Sequence, residues 1–289
     1  MGRRLKCWIY LKKGFKFPWR ILGLYGGSIL LLLWSIFPLI WMLMTSFKPT
    51  EEIFIYPPEF LPRHMTLTNF HALFSRSHFL SYFINSMKVS ILTTACALVL
   101  SVLGAYGLVR FRFRGKELLA QLVLLTYLFA PIMIIIPFYI LIRKIGLVNT
   151  HTALVLALTS FSLPFTLWLL RSFFQTIPLE LEEAALVDGA THLQAAFYIV
   201  LPLAAPGIIA TAIFTLILAW NDYIFARILI TSDPLKTLPV GVQDLFNQTV
   251  VDWGMIMASG VLITIPVLLF FIFIQQYLIE GWGAGGIKG

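Results

Sequence analysis

The chain has 289 residues, 59% of them hydrophobic and 12% charged, with a formal net charge of +8 and a mean hydropathy of +0.89. Ordinary soluble domains carry roughly 25% charged residues, and a soluble fold of this composition would expose more apolar surface than water tolerates. A soluble globular domain is therefore excluded, and the basic residues are split among loops rather than gathered on one face, which argues against a nucleic-acid partner.

A membrane-spanning helix needs about 20 mostly apolar residues. Six stretches meet that requirement, at 21–45, 83–108, 119–142, 152–172, 203–231 and 254–280, and predict an all-α integral membrane protein with six transmembrane helices. Residues 1–20 form a basic tail containing Arg3, Arg4, Lys6, Lys12, Lys13, Lys16 and Arg20. The loop after the second span adds Arg110, Arg112, Arg114 and Lys116, and Arg171 and Lys288 fall on the same side. Lys48, Arg63, Arg76, Arg143, Lys144 and Lys236 are fewer and fall on the other. Lysine and arginine accumulate on the cytoplasmic side, so both termini are expected to be cytoplasmic. The first span is longer than a signal-peptide core and no small-residue cleavage site follows it.

Residues 46–82 read as an external loop with one short helix, and Lys88 as a side chain reaching the outer interface. Prolines 131, 137, 164, 206 and 266 fall within spans and predict kinks. Cys7 and Cys96 are separated by the topology, so no disulfide is expected, and the five histidines show no metal-ligand spacing. In the fifth span Asp222 is the ionisable residue to explain. A path-lining role competes with a pairing to Arg227. Sugars are held by aromatic faces and polar groups, which makes Trp220, Asn221, Asp222 and Tyr223, with Tyr127 and Tyr139 of the third span, the candidate substrate path. An external loop, 232–253, follows the fifth span. The C-terminal segment 281–289, rich in glycine, reads as a non-helical cytoplasmic tail.

The loop 173–202 is the most acidic run in this basic chain, and the topology places it in the cytoplasm. Pro178 suits a first helical turn, and glutamates close behind it complement the helix dipole. Leu181, Ala184 and Ala185 form a narrow apolar face, and Gly189 provides a left-handed stop. Thr191 and Gln194 fit a capping box that starts a second helix, which Pro202 interrupts before the next span. Helices this short are marginal alone in water, so a partner is expected to hold them.

The stretch "EEAALVDGATHLQAAFYIVLP" resembles the cytoplasmic loop motif of ATP-binding-cassette importer permeases, an EAA, three residues, a glycine, nine residues and I-x-LP. Glu183, Ala184 and Ala185 supply the EAA, Gly189 the glycine, and Ile199, Leu201 and Pro202 the end. "FRFRGK", "WNDYIFARIL", "TLPVGV" and "EGWGAGGIKG" extend the resemblance to the carbohydrate branch, most like the smaller six-span permease of maltose-type sugar importers. The resemblance implies a type I ABC importer permease fold in a bacterial plasma (inner) membrane. It implies that Glu182, Glu183, Ala184, Ala185, Asp188, Gly189, Ile199, Leu201 and Pro202 couple to an ATPase. The implied partners are two copies of a cytoplasmic P-loop ATPase, which carry the ATP and Mg, a second homologous permease, an extracytoplasmic solute-binding protein and a carbohydrate. It further implies that Gln243, Asp244, Phe246 and Asn247 meet the binding protein and that Lys288 reaches the ATPase. No metal, cofactor or catalytic residue is expected in this chain, and no G-x-x-x-x-G-K-[ST] phosphate loop occurs in it. An ABC permease for a non-sugar solute such as glycerol phosphate is the alternative. An ion-coupled secondary transporter stands behind it, because such a protein needs a paired titratable residue deep in the bilayer.

Overall fold

The computed structural model describes residues 19–285, and every regular element among them is helical. The expectations for residues 1–18 and Lys288 lie outside the described residues. In chain order the helices are α1 (Trp19–Ser46), α2 (Thr50–Ile53), α3 (Thr68–Arg76), α4 (Phe79–Arg110), α5 (Lys116–Thr126), α6 (Pro131–Lys144) and α7 (His151–Gln175). After them come α8 (Leu179–Val187), α9 (His192–Ala195), a π-helical turn Ala196–Val200, α10 (Leu201–Leu203), α11 (Ala205–Trp220), α12 (Ile224–Leu229), α13 (Leu238–Phe246) and α14 (Trp253–Gly285). The first external loop holds two short helices rather than one.

Four helices, α1, α4, α7 and α14, are long and apolar enough to cross a bilayer, and two bent pairs raise the number to six. The third expected span is not continuous: α5 and α6 meet at 96°. Proline explains the break. Its ring disfavours helical backbone in the preceding residue, and Ala130, before Pro131, is extended at φ −60°, ψ 139°. The segment His192–Leu203 meets α11 at 74°, with the interruption at Ala204 just ahead of Pro206. Pro137, Pro164 and Pro266 lie inside helices that continue past them.

The fifth expected span stops at Trp220 instead of running to 231. Asp222 explains this, because its carboxylate accepts from the backbone amides of Phe225 (3.4 Å) and Ala226 (2.9 Å) and so caps a new helix, α12. At the other terminus the glycine-rich segment expected to be non-helical continues α14 to Gly285.

The bundle packs around α4, α7 and α11. One apolar cluster joins Val89, Leu154, Leu158, Phe225 and Leu229, and a second joins Leu73, Phe79, Trp220, Leu238 and Ile256. Close helix approach depends on small residues. A Cβ on Gly207 would lie 2.3 Å from the Phe173 ring, so no larger residue fits where α11 crosses α7. Two ends of the bundle are distinguished here: the loop end, which carries α8–α10, and the far end, which carries α2, α3, α12 and α13.

Candidate functional site

At the loop end the chain leaves α7, turns at Pro178 and enters α8. Pro178 is extended, with φ −57° and ψ 135°, and α8 begins behind it with Glu180 and Glu182 in its first turn. The helix stops as its sequence dictates. Gly189 has φ +91°, and the amides of Ala190 and Gly189 bond back to the carbonyls of Ala185 (2.9 Å) and Leu186 (3.1 Å). That is the paired bond pattern of a Schellman cap, with glycine at the left-handed position. Thr191 and Gln194 form the expected capping box: the Gln194 amide donates to Thr191 Oγ1 at 3.3 Å, and the Thr191 amide to Gln194 Oε1 at 2.8 Å.

What anchors this helical hairpin to the spans is a buried ion pair. Arg110 Nε, on the last residue of α4, stands 2.7 Å from Glu182 Oε2, with the two side chains 8% and 4% exposed. The Tyr106 hydroxyl donates to Glu182 Oε1. Arg110 also donates to the carbonyl of Ile177 at 3.4 Å, so one guanidinium grips both the entry to α8 and its first turn. Ala105, Leu170, Phe174, Ile177, Val200 and Ala204 pack beside the pair. On α5, Glu117 pairs with Arg171 of α7 and braces the same end.

The residues assigned to ATPase coupling therefore divide. Glu182 is turned inward, where Arg110 and Tyr106 hold it, and so stands apart from the exposed members of the set. Glu183, Ala184, Asp188, Gly189 and Pro202 are exposed, and Ala185, Ile199 and Leu201 are half-buried. Around them Leu181, Val187, Leu193, Phe197 and Tyr198 are exposed too, Val187 by 88%. Exposed apolar side chains grouped beside an acidic residue mark a candidate contact surface. Sequence reasoning missed Arg110 and Tyr106. It counted Arg110 only as a topology charge, and the signal for its role was the second, adjacent glutamate of the motif, which also needs a partner.

The six path candidates do not converge on one surface. Tyr127 stacks on Phe161 and Phe165 at 5.9 and 5.4 Å, and Tyr139 packs against the first apolar cluster. Trp220 is 1% exposed and meets Phe83 edge-on at 5.5 Å. It is a core residue here, contrary to its assignment to the path. Asp222 is a helix cap and does not pair with Arg227, whose guanidinium reaches Asp244 at 3.2 Å. Asn221 and Tyr223 are exposed.

At the far end the 232–253 segment is ordered by contacts with the spans. The Tyr82 hydroxyl donates to Asp233 Oδ2 at 3.1 Å, Asn85 donates to the carbonyls of Pro234 and Lys236, and the Leu238 amide donates to Ser86 Oγ. Lys236 Nζ lies 2.6 Å from Asp233 and 2.7 Å from Asp244. Its hydrogen bond to Asp233 is the main reason that the aspartate titrates below its usual range, while the two aspartates raise the lysine above its own. Gly241 lets α13 lie against the Tyr82 ring, which a Cβ would meet at 2.1 Å. Gln243, Phe246 and Asn247 are exposed, whereas Asp244 is half-buried and already holds Arg227 and Lys236.

Residues 97–282, which include the whole loop-end assembly, match the family described as binding-protein-dependent transport system inner membrane component. The chain belongs to this family. It is an inner-membrane, multi-pass permease component of a transport complex. The inner membrane ABC transporter permease protein YcjP of Escherichia coli (strain K12) is 37% identical over 93% of this chain and 96% of its own length. The sulfoquinovosyl glycerol transport system permease protein SmoH of Agrobacterium fabrum is 35% identical, over 91% of this chain and 92% of its own. The trehalose transport system permease protein SugB of Mycobacterium tuberculosis is 34% identical, over 89% and 93%. The fold matches a crystal structure of a bacterial ABC transporter involved in the import of the acidic polysaccharide alginate. That match has a TM-score of 0.80 and 23% identity, and it covers 91% of this chain and 98% of the other.

Proposed function

We infer that this chain is the permease subunit of an ATP-driven importer for an oligosaccharide, and that the loop end docks a cytoplasmic ATPase. The observation that carries this is the division of labour on α8. Glu182 is clamped in the protein interior by Arg110 and Tyr106, while Glu183, Ala184 and Leu181 stand bare on the outer side. A helix gripped from behind and bare in front delivers the movement of whatever docks on it into α4. The relatives' names support carbohydrate cargo, since they include trehalose, sulfoquinovosyl glycerol and diacetylchitobiose permeases.

In this reading two P-loop ATPase copies hold the ATP and Mg, and one of them receives α8 and α9, with Glu183 facing a cationic group on its surface. A second, homologous permease completes the membrane core. Both termini and the loop end are cytoplasmic. At the far end a solute-binding protein delivers the sugar, meeting Gln243, Phe246 and Asn247 and the edge of Asp244. Alternation between inward-open and outward-open states follows closure of the ATPases. Affinity purification of the chain from its native membrane in mild detergent, followed by mass spectrometry, tests the reading. Recovery of a P-loop ATPase and a second permease is expected, and in Glu183→Lys the ATPase alone should be lost. Repeated recovery of the intact chain by itself would overturn it.

A further inference from the structure

Lys48, just beyond the end of α1, is only 4% exposed. Its Nζ donates to the carbonyl of Glu59 and lies 5.3 Å from the centre of the Trp41 ring, and it forms no ion pair among the described residues. Both nearby carboxylates are engaged elsewhere. Glu52 accepts from the backbone amides of Arg63 (3.0 Å) and His64 (3.1 Å), and Glu59 binds the Arg63 guanidinium, with Nε at 2.7 Å. A buried cation that lacks an anionic partner is costly to hold. Thr45 Oγ1, one turn earlier, is buried and has no hydrogen-bond partner. Both groups line a cavity of about 160 Å³, whose other walls include Trp41, Trp253, Glu52 and Glu59.

Directly along the same two helices runs a second opening, a groove of about 310 Å³ between α1 and α14. Leu39, Leu43, Val261, Ile265 and Leu268 line it, and the one hydroxyl there, Thr264, is already bonded to the Gly260 carbonyl. Met42 sits against Gly260, which fixes an antiparallel register: 39–43 faces 261–268, and 45–48 faces 253–257. The polar cavity therefore caps the apolar groove at the helix ends. Tryptophans flank the junction, as they do at membrane–water interfaces.

A polar pocket with an unpaired cation above an apolar slot has the shape and polarity of an amphiphile. We propose that this is a binding site for a membrane glycerophospholipid, with the phosphate on Lys48 Nζ and Thr45 Oγ1 and one acyl chain in the α1–α14 groove. Glu52 and Glu59 at the same cavity favour a headgroup that carries an amine over one with net negative charge. The proposal requires only that the chain lies in a bilayer, so it stands or falls separately from the transported solute.

Native mass spectrometry of the purified, delipidated transporter complex with added phosphatidylethanolamine tests it. The wild type retains the lipid. Lys48→Met lowers apparent affinity about tenfold, Thr45→Val lowers it less, and Leu268→Trp, which fills the groove and leaves Lys48 intact, lowers it about as much as Lys48→Met. Phosphatidylglycerol binds more weakly, and glycerophosphoethanolamine, the same headgroup without chains, does not displace the lipid at equal concentration. Unchanged lipid retention in Leu268→Trp overturns the proposal, even where Lys48→Met fails to fold. So does displacement by the chainless headgroup, which would mean a free-phosphate site. Capture of a second permease helix by a photocrosslinker at Val261, in place of lipid, overturns it as well.

Discussion

Arg110 and Glu182 are far apart in sequence and 2.7 Å apart in space, and their environment sets what a substitution does. Removing one member of a buried pair strands the other charge, at a cost of about 3–5 kcal/mol, whereas replacing both with apolar residues of similar size is close to neutral. Arg110→Leu should therefore depress the melting temperature of the complex, and Arg110→Leu with Glu182→Leu should recover most of the loss. Thermal unfolding of the purified complex checks this, and a double variant no better than the single one would rule out the ion pair as the anchor. Uptake and ATP hydrolysis measured in the same double variant separate stability from coupling, because a merely structural pair leaves the ratio of solute moved to ATP used unchanged. The pair illustrates what sequence conceals. A hydrophobic stretch announces itself by composition, but a salt bridge between two helices is a tertiary fact, and Arg110 looked like its three basic neighbours, Arg112, Arg114 and Lys116, with a purely topological role. Trp220 and Asp222 misled in the opposite direction, since an aromatic beside an acid reads as a ligand surface until packing shows a core residue and a helix cap.

At the scale of elements, the short helices around Gly189 were legible because their stop and start signals are local. Gly189 has φ +91° and open space where a Cβ would stand, so the penalty for replacing it is conformational, with no clash to relieve. A left-handed conformation costs an ordinary residue roughly 1–2 kcal/mol, and asparagine less. Gly189→Val should impair transport clearly and Gly189→Asn only mildly, in uptake assays at matched expression. Equal transport in the two variants would show that the left-handed turn is dispensable. The far-end segment was less legible, as its order comes from side chains on α4. Asp233 has a depressed pKa, so its contribution is present above the ordinary carboxylate value of about 3.9 and is lost as pH falls through the folded value. Lys236 has a raised pKa, so its contribution is present below about 10.4 and is lost only as pH rises through its own higher folded value. Hydrogen exchange across 232–246, corrected for intrinsic rates, should thus be constant through neutral pH and accelerate on acidification below about pH 4. Asp233→Asn should lose much of that acid response, and an unchanged acid response in it would remove the carboxylate from the account.

For the whole molecule, six apolar stretches were enough to assign an all-helical membrane fold, but they could not show how sharply the third span is broken or how the loop-end hairpin bends into α11. Hydropathy averages over a window, whereas the break at Ala130 depends on a single proline, Pro131, and the bend at Ala204 on local backbone angles. The distribution of basic residues predicts an orientation, and that prediction has a direct test in a chain stripped of Cys7 and Cys96. A cysteine at Val187, 88% exposed at the loop end, should react with a membrane-impermeant maleimide in inside-out vesicles. One at Val250, 80% exposed at the far end, should react in right-side-out vesicles. The reverse labelling pattern would invert the topology and leave the loop end without access to a cytoplasmic ATPase.

Glu182 and Glu183 are neighbours that point into different worlds, and the helix between the Arg110 grip and the Gly189 turn fixes which is which. Successive helical residues are rotated by about 100°. A single residue inserted between Pro178 and Glu182 would therefore swing Glu183 away from any docked partner and present some other side chain to Arg110. The segment behaves as a key cut to a fixed length: substitutions on its outer side trim the teeth, whereas a change of length by one turns the whole blade in the lock. A change of length in α8 should therefore disturb the Arg110–Glu182 pair more than a substitution on its outer side does.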